Sequence, residues 1–156
     1  MSHHPFYVIL ILYNKKRQIH HGIQIPCFLW LVFNKFLLIK IRRKDDTVHY
    51  EFPRGFAKND EKLKDTAIRE LAEETNLTDI KSVANLGVIM PDSGLINIKI
   101  NLILIKLNSA NNIKLQKSKK ISDYIWSSKR DMFAAIKEGK IIDSYTIAGF
   151  IKSYMN

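Results

Sequence analysis

The sequence predicts a mixed α/β domain built in layers, with a few helices packed on a sheet. Three observations lead to this prediction. The chain has 156 residues, 46% of them hydrophobic, so its length suits one domain with a sizeable core. Apolar runs rich in Val, Ile, Tyr and Phe alternate with stretches of helical periodicity. No repeat or linker interrupts this pattern, and residues 1–156 are therefore expected to form one domain.

Strands dominate the predicted N-terminal part of the chain. Residues 6–13 form an apolar run typical of a strand. Residues 28–33 and 36–41 are two more such runs, separated by two residues, which is the spacing of a hairpin. The charged patch at residues 42–46 predicts a turn. Residues 49–52 predict a short strand, which the following proline ends because proline cannot donate to a strand ladder.

The remainder of the chain is predicted to alternate between helices and strands. Asn59 or Asp60 can cap a helix over residues 61–75, and the spacing of Leu63, Ala67 and Leu71 places all three on one face. Further strands are expected over residues 82–90, 96–107 and 124–126, and further helices over residues 129–138 and, capped by Asp143 or Ser144, to about residue 154. The 96–107 run becomes solidly apolar, as in a strand buried on both faces.

Composition and charge exclude several classes of protein. The single cysteine, Cys27, cannot form an internal disulfide, which excludes a disulfide-stapled secreted domain and predicts a cytoplasmic protein. The apolar run at 6–13 is too short to span a bilayer, and the run at 23–39 is interrupted by polar residues, so no membrane segment is expected. A net charge of +10 favours anionic partners such as nucleotides or nucleic acid.

Three acidic residues in the predicted 61–75 helix carry the most chemical information. Glu70, Glu73 and Glu74 stand at positions i, i+3 and i+4, so their carboxylates project from one face, which is expected to lie opposite the apolar stripe. A solvated acidic face, balanced by neighbouring basic residues, is one interpretation. The other is a site for a hard divalent cation, Mg²⁺ or Mn²⁺, which commonly bridges carboxylates to substrate phosphates. The second interpretation predicts hydrolysis of a phosphate ester or phosphoanhydride.

The spacing of these residues in the segment 55–77 resembles the signature of the Nudix hydrolase family. Gly55, Glu61, the triplet at 69–71 and the pair at 73–74 stand in that family's order and spacing. The resemblance implies the Nudix fold, an α/β/α sandwich around a mixed sheet. Asn76 stands where the family has glycine, and asparagine is the best substitute there because it tolerates positive φ.

The resemblance also implies a role for each matching residue. Glu70 and Glu74 would be the main ligands of Mg²⁺ or Mn²⁺, and Glu73 would join them or activate water. The backbone carbonyl of Arg54 would supply a further ligand. Arg69 would orient the glutamates through salt bridges. The two remaining positions of the signature, Gly55 and Glu61, would have structural roles in the loop. The implied substrate is a nucleoside diphosphate linked to another group, hydrolysed at its phosphoanhydride.

Three features outside this segment resemble the ADP-ribose and nucleoside-diphosphate-sugar pyrophosphatase branch of the family. They are the lead-in at residues 51–55, Pro91 at fifteen residues after position 76, and the segment at residues 138–146. In that branch the residues corresponding to Arg42, Arg43 and Glu51 often face the substrate. The resemblance therefore implies ADP-ribose or an NDP-sugar as the substrate.

The predicted loop at residues 108–120 leaves an alternative open. It carries four lysines and no acid, whereas the branch usually supplies a catalytic glutamate from this loop. Either Glu73 serves as the base, or the substrate is more highly phosphorylated, a nucleoside triphosphate or an RNA 5′ end. Nucleic acid is thus a second, less favoured partner. A non-catalytic nucleotide-binding module is the alternative of another class.

A second copy of the chain is also an expected partner. The apolar strand at residues 6–13 would be an exposed edge in a lone monomer, and a second chain would cover it. This expectation of a homodimer depends on where that strand lies in the sheet.

Overall fold

The computed structural model of the chain describes residues 6–13, 35–43, 46–95, 98–111, 113–116 and 121–155. Within these residues there are seven strands and three helices. The strands are β1 (Phe6–Tyr13), β2 (Lys35–Arg42), β3 (Val48–Glu51), β4 (Arg54–Phe56), β5 (Ile80–Ile89), β6 (Ile100–Leu107) and β7 (Ile121–Ser128). The helices are α1 (Leu63–Thr75), α2 (Lys129–Lys137) and α3 (Ser144–Lys152).

The strands form one mixed sheet. Its main order is β3-β2-β1-β6-β5, with β4 also paired to β1 and β7 also paired to β2. Strand β1 is parallel to β2 and β4 and antiparallel to β6. Helix α1 packs on one face of this sheet, where Ala67 and Leu71 meet apolar side chains of β1 and β6. Helices α2 and α3 cover the other face through Met132 and Phe150. The predicted α/β/α sandwich around a mixed sheet is therefore confirmed.

The prediction that β1 is an exposed edge is wrong. β1 lies at the centre of the sheet, between β6 on one side and β2 and β4 on the other. Residues 8–12 are fully buried, because both faces of the strand are covered by helices. An unbroken apolar run is what such a strand requires. The reason for expecting a second chain over this strand is thereby removed.

Helix α1 begins later than predicted and without the predicted cap. Its N-cap is Lys62, which makes no side-chain cap hydrogen bond. Asn59 and Asp60 instead form a turn, in which Asp60 has φ 63°. The helix ends as expected at Asn76, which has φ 60° and whose N–H donates to the Ala72 carbonyl. Asparagine therefore occupies the left-handed position that otherwise favours glycine.

Other boundaries follow from pairing that a local pattern does not reveal. β7 runs from Ile121 to Ser128, longer than the predicted 124–126, because it pairs with residues 35–41 of β2. β6 begins at Ile100, later than predicted. Asp143 caps α3 as predicted, accepting from the Thr146 N–H at 2.8 Å. The strand predicted over residues 28–33 lies outside the described residues. Within the described residues, none of the helices has the length and apolar character needed to cross a membrane.

Candidate active site

The site begins with the close approach of helix α1 to strand β4. Gly55 of β4 lies beside Leu12 of β1 in the sheet, and the Glu70 side chain lies directly on Gly55. An ideal Cβ added at Gly55 would overlap the Cβ, Cγ and Cδ atoms of Glu70. The neighbouring Phe56 N–H donates to Glu70 Oε1 at 3.3 Å. A glycine is therefore required here, because only its missing side chain lets the helical glutamate reach the strand backbone.

The acidic face of α1 is not opposite its apolar stripe, so that prediction is wrong. Glu70 and Glu74 are only 5% and 3% exposed. At 3.6 residues per turn they lie about 20° on either side of the direction of Leu63, which is the side that packs on the sheet. Glu73 lies further round the helix, and its side chain is 43% exposed. The interpretation as a solvated acidic face therefore fails for the two buried carboxylates.

The Arg69 side chain joins all three neighbouring glutamates. Its guanidinium donates to both carboxylate oxygens of Glu61, at 2.8 and 2.9 Å, and to Glu70 Oε1 at 2.9 Å. It also lies 3.3 Å from Glu73 and donates to the Phe56 carbonyl at 3.1 Å. Two parallel hydrogen bonds to one carboxylate are geometrically demanding. Arg69 therefore ties the loop after β4 to the acidic turns of α1.

This ion-pair cluster shifts the protonation of its members. The hydrogen bond from Arg69, followed by one from the Lys58 N–H, lowers the pKa of Glu61 from 4.5 to about 2. The hydrogen bonds that Arg69 donates to Glu61 and to the other carboxylates raise the pKa of its guanidinium. Both groups are charged at neutral pH, and the loop is held by full charges.

A second charged cluster adjoins β3 and β4. The Glu51 carboxylate is buried and accepts from Arg43 Nε at 3.0 Å and from Arg54 at 2.9 Å. Arg54 also pairs with Asp143 at 2.5 Å and lies 4.7 Å from the centre of the Tyr145 ring. The two arginines and two carboxylates neutralise one another in a half-buried setting. Arg54 thus links the residue before Gly55 to the start of α3.

The start of α3 adjoins the site, and the sequence does not predict this contact. The resemblance of residues 138–146 to the ADP-ribose pyrophosphatase branch does not by itself indicate it. In the structure the Phe52 N–H donates to Thr146 Oγ1 at 3.0 Å, and Thr146 donates in turn to Asp143 at 2.7 Å. The available signal in the sequence is Asp143 followed three residues later by Thr146, which is typical of a helix cap. The Thr146 hydroxyl can then accept a hydrogen bond from another part of the chain.

Two of the expected substrate residues stand apart from these clusters. Arg42 has an exposed side chain and lies 3.7 Å from Asp46 in the turn after β2. Its neighbour Arg43, by contrast, contacts Glu51. Pro91 follows the end of β5, and Ile89 of that strand lies at the same end of the sheet as Phe56. Pro91 therefore stands at the site's end of the sheet, away from the ion pairs.

The donor set suits a hard divalent cation only in part. Within the described ranges, no group of three or more His, Cys, Asp or Glu residues is arranged to hold a metal ion. The two buried carboxylates of Glu70 and Glu74 nevertheless stand one helical turn apart. Mg²⁺ is commonly held by one or two carboxylates, with waters and substrate phosphates completing its shell. The residues therefore fit a cation whose coordination the substrate completes.

The lysine-containing loop after β6 packs along α1. The Asn108 N–H donates to the Asp79 carbonyl, the Lys114 N–H to Thr75 at 3.0 Å and the Gln116 N–H to Glu74 at 3.1 Å. The last two bonds satisfy the carbonyls of Thr75 and Glu74 at the end of α1, which have no helical partner. Residues 117–120, with three of the four lysines, lie outside the described residues. The described part thus runs back along the helix towards Glu74.

Comparison with known proteins identifies the family. The model of the NUDIX domain matches residues 20–148. Comparison with curated protein sequences gives no match. The chain belongs to the NUDIX family, and this makes it an enzyme of the Nudix hydrolase class, which acts on phosphoanhydrides. Members of the family generally use divalent metals.

Solved structures agree with this assignment at the level of the fold. A NUDIX hydrolase from Listeria monocytogenes has a TM-score of 0.51 at 19% identity, over 96% of this chain and 91% of its own. The NUDIX domain of Shewanella oneidensis NrtR, complexed with ADP ribose, has a TM-score of 0.57 at 18% identity, over 98% of this chain and 88% of its own. An Ap4A hydrolase from C. elegans has a TM-score of 0.54 at 19% identity, over 95% of this chain and 93% of its own. At these identities the likeness shows the fold.

The contact between Gly55 and Glu70 predicts a large effect of one methyl group. Gly55→Ala should reduce the free energy of unfolding by about 2 kcal/mol, because the added Cβ must displace the buried Glu70 side chain. Gly94→Ala is the matched control, since its added Cβ meets only Asp92, at 3.5 Å, and should change stability by less than about 0.5 kcal/mol. Urea unfolding checks both values. Equal effects of the two substitutions would contradict the packing described here.

The lowered pKa of Glu61 predicts a pH dependence of stability. A carboxyl whose pKa is lower in the folded state stabilises the protein above its unfolded pKa and loses this effect as the pH falls through its folded pKa. The contribution of Glu61 should therefore be lost between about pH 4.5 and pH 2. Urea midpoints measured across this range should fall less steeply for Glu61→Gln than for the wild type. Parallel curves would show that the Arg69 pair does not stabilise the fold.

Proposed function

We propose that the chain is a divalent-metal-dependent hydrolase that cleaves the phosphoanhydride of a nucleoside diphosphate linked to another moiety, with ADP-ribose or an NDP-sugar as substrate. The observation that carries this proposal is the pair of buried carboxylates, Glu70 and Glu74, held one helical turn apart. Burying two like charges this closely destabilises a protein unless positive charge compensates them. Arg69 compensates Glu70 in part, and a bound cation would compensate both carboxylates. Gly55 and Arg69 maintain the arrangement, which supports a catalytic role for it.

The proposed cation would be Mg²⁺ or Mn²⁺. Glu70 and Glu74 would hold it, and Glu73 and the backbone carbonyl of Arg54 are further proposed ligands. When bound, the cation supplies neutralisation of the diphosphate charge and activation of water. Arg69 acts on the same carboxylates from the protein side, since its hydrogen bonds fix Glu70 and draw Glu73 towards the site.

The proposed general base is Glu73. Its side chain is the most exposed of the three glutamate side chains of α1, so it can reach water that Glu70 and Glu74 cannot. The loop after β6 offers no alternative base in its described part, since residues 108–111 and 113–116 contain no acidic residue. Arg69, whose guanidinium lies 3.3 Å from Glu73, would direct this carboxylate inwards.

Substrate phosphate is proposed to bind near the second charged cluster. Arg43 retains N–H groups beyond its contacts with Glu51, and its side chain is 38% exposed. Arg42 is more exposed and can pair with a phosphate in place of Asp46. Glu51 would position Arg43 and Arg54, and Pro91 would shape the opposite rim. The bound ADP ribose of the NrtR NUDIX domain supports this substrate class.

A second candidate function is hydrolysis of a nucleoside triphosphate or an RNA 5′ end. The observation that favours it is the loop at residues 108–116, which places Lys114 against the end of α1 near Glu74. A cationic segment there would favour a substrate with more phosphates. A cytoplasmic location, predicted from the single cysteine, remains a prediction for either function.

Turnover of a nucleotide panel tests these proposals. The wild type with Mg²⁺ should release AMP from ADP-ribose, and EDTA should abolish the reaction. Glu74→Gln should reduce turnover by at least about a hundredfold, because it removes one of two charges offered to the cation. Asp65→Asn, on the exposed side of the same helix, should keep wild-type turnover.

The other outcomes assign the alternatives. If phosphate or pyrophosphate is released only from nucleoside triphosphates or 5′-triphosphate RNA, the second candidate function is supported and hydrolysis of ADP-ribose is contradicted. A fully active, folded Glu74→Gln protein would contradict the proposed mechanism. Metal-independent binding of nucleotides without any product would indicate a non-catalytic binding module.

A further inference from the structure

One polar residue interrupts the apolar surface on which α1 packs. Every second residue of β6 points to α1. Three of these residues, Ile103, Ile105 and Leu107, belong to the apolar cluster beneath the helix. The fourth is Asn101, near the start of the strand. It pairs with Leu12 of β1, and directly paired residues of antiparallel strands share one face of the sheet. Asn101 therefore points to the same face as α1.

The Asn101 amide has no hydrogen-bond partner within the described residues. The residue is only 6% exposed, and its side chain makes no hydrogen bond with any residue of the described ranges. Its amide atoms are not fully enclosed by protein, so they reach solvent through the small exposed part of the residue. A polar group held in this way at an otherwise apolar surface is available to a ligand.

The position of Asn101 places it beside the proposed site. One row across the sheet contains Gly55, Leu12, Asn101 and Val88, on strands β4, β1, β6 and β5. Glu70 lies on Gly55 at one end of this row. Asn101 stands two strand spacings away, at about 10 Å. This is comparable to the distance between the base and the diphosphate of a nucleotide.

The far end of the row is open to solvent and apolar. Val88, which pairs with Asn101, is 46% exposed, and Met90 just beyond the strand is also exposed. An amide flanked by accessible apolar side chains has the character of a small-molecule subsite, with apolar walls and one fixed polar group. The amide offers one acceptor and two donors in a plane. It thus matches the hydrogen-bonding edge of a nucleobase, and asparagine pairs with adenine through two such bonds.

We infer that Asn101 binds the nucleobase of the substrate, with Val88 and Met90 packing against the base. This inference rests on the proposed function in one respect, the assignment of the diphosphate to the Glu70 and Glu74 end of the row. It adds a specificity-determining residue that the sequence motifs do not contain. Phosphate recognition and base recognition are then separated along a single row of the sheet.

Binding of two ligands to Asn101→Leu tests the inference. Titration calorimetry without metal would compare AMP with ribose 5-phosphate, which lacks the base. We expect the affinity for AMP to fall about tenfold or more, the loss that accompanies removal of a two-bond contact to a base. The affinity for ribose 5-phosphate should be unchanged. Thermal unfolding should show that the variant keeps the stability of the wild type, because the replaced side chain makes no hydrogen bond within the described residues. Asn111→Leu, at an exposed position, is the matched control and should bind both ligands as the wild type does.

The results that would overturn the inference are distinct from those that would overturn the proposed function. AMP binding by Asn101→Leu at wild-type affinity would overturn it, as would a wild type that binds AMP no better than ribose 5-phosphate. A selective loss of AMP binding would support the base site even if the nucleotide panel gave no product. In that case only the proposed hydrolytic function would fail.

Discussion

The close contact between Gly55 and Glu70 is the constraint on which the rest of the site depends. Where a helix packs on a sheet, the side chains of both normally fill the space between the two backbones. Here the absence of a Cβ on β4 lets a charged side chain of α1 occupy that space. Glu70 is then buried under the helix, and Glu74 follows it one turn later on the same face. The fold thus directs two carboxylates inwards, where a cation can neutralise them.

Arg69 makes this arrangement tolerable in the absence of a cation. It lies at the edge of the buried face and holds Glu61 and Glu70 through charged hydrogen bonds. The same guanidinium donates to the Phe56 carbonyl, so it connects the loop, the strand end and the helix. A second arginine, Arg54, makes the equivalent connection to Asp143 at the start of α3. The two residues that flank Gly55 are therefore both tied to distant parts of the chain, Phe56 to α1 through Arg69 and Arg54 to the start of α3.

Much of this architecture could be predicted from the sequence. The solid apolar run of β1, the periodicity of α1 and the spacing from Gly55 to Glu74 are local patterns, and they correctly predicted a sandwich and a family. The Asp143 cap was also local and was predicted correctly. The tolerance of Asn76 for positive φ was a further local property that the structure confirms.

The remaining features depend on tertiary contacts. The central position of β1 depends on which strands pair with it. The expectation that β1 is an exposed edge strand was wrong for this reason. The burial of Glu70 depends on a glycine fifteen residues upstream of it (70 − 55 = 15). A pattern of charges along the helix does not show what lies beneath the helix. The environment of the Asn101 amide cannot be predicted from the sequence, since it arises from pairing with Leu12 and Val88.

The measurement that tests the central claim most directly is a crystal structure of the protein with Mn²⁺, read by anomalous scattering. The account predicts one strong anomalous peak between the carboxylates of Glu70 and Glu74. The same peak should be absent from the Glu74→Gln protein under identical conditions. A peak elsewhere on the molecule, or an unchanged peak in that variant, would contradict the claim that the contact between Gly55 and Glu70 builds a cation site.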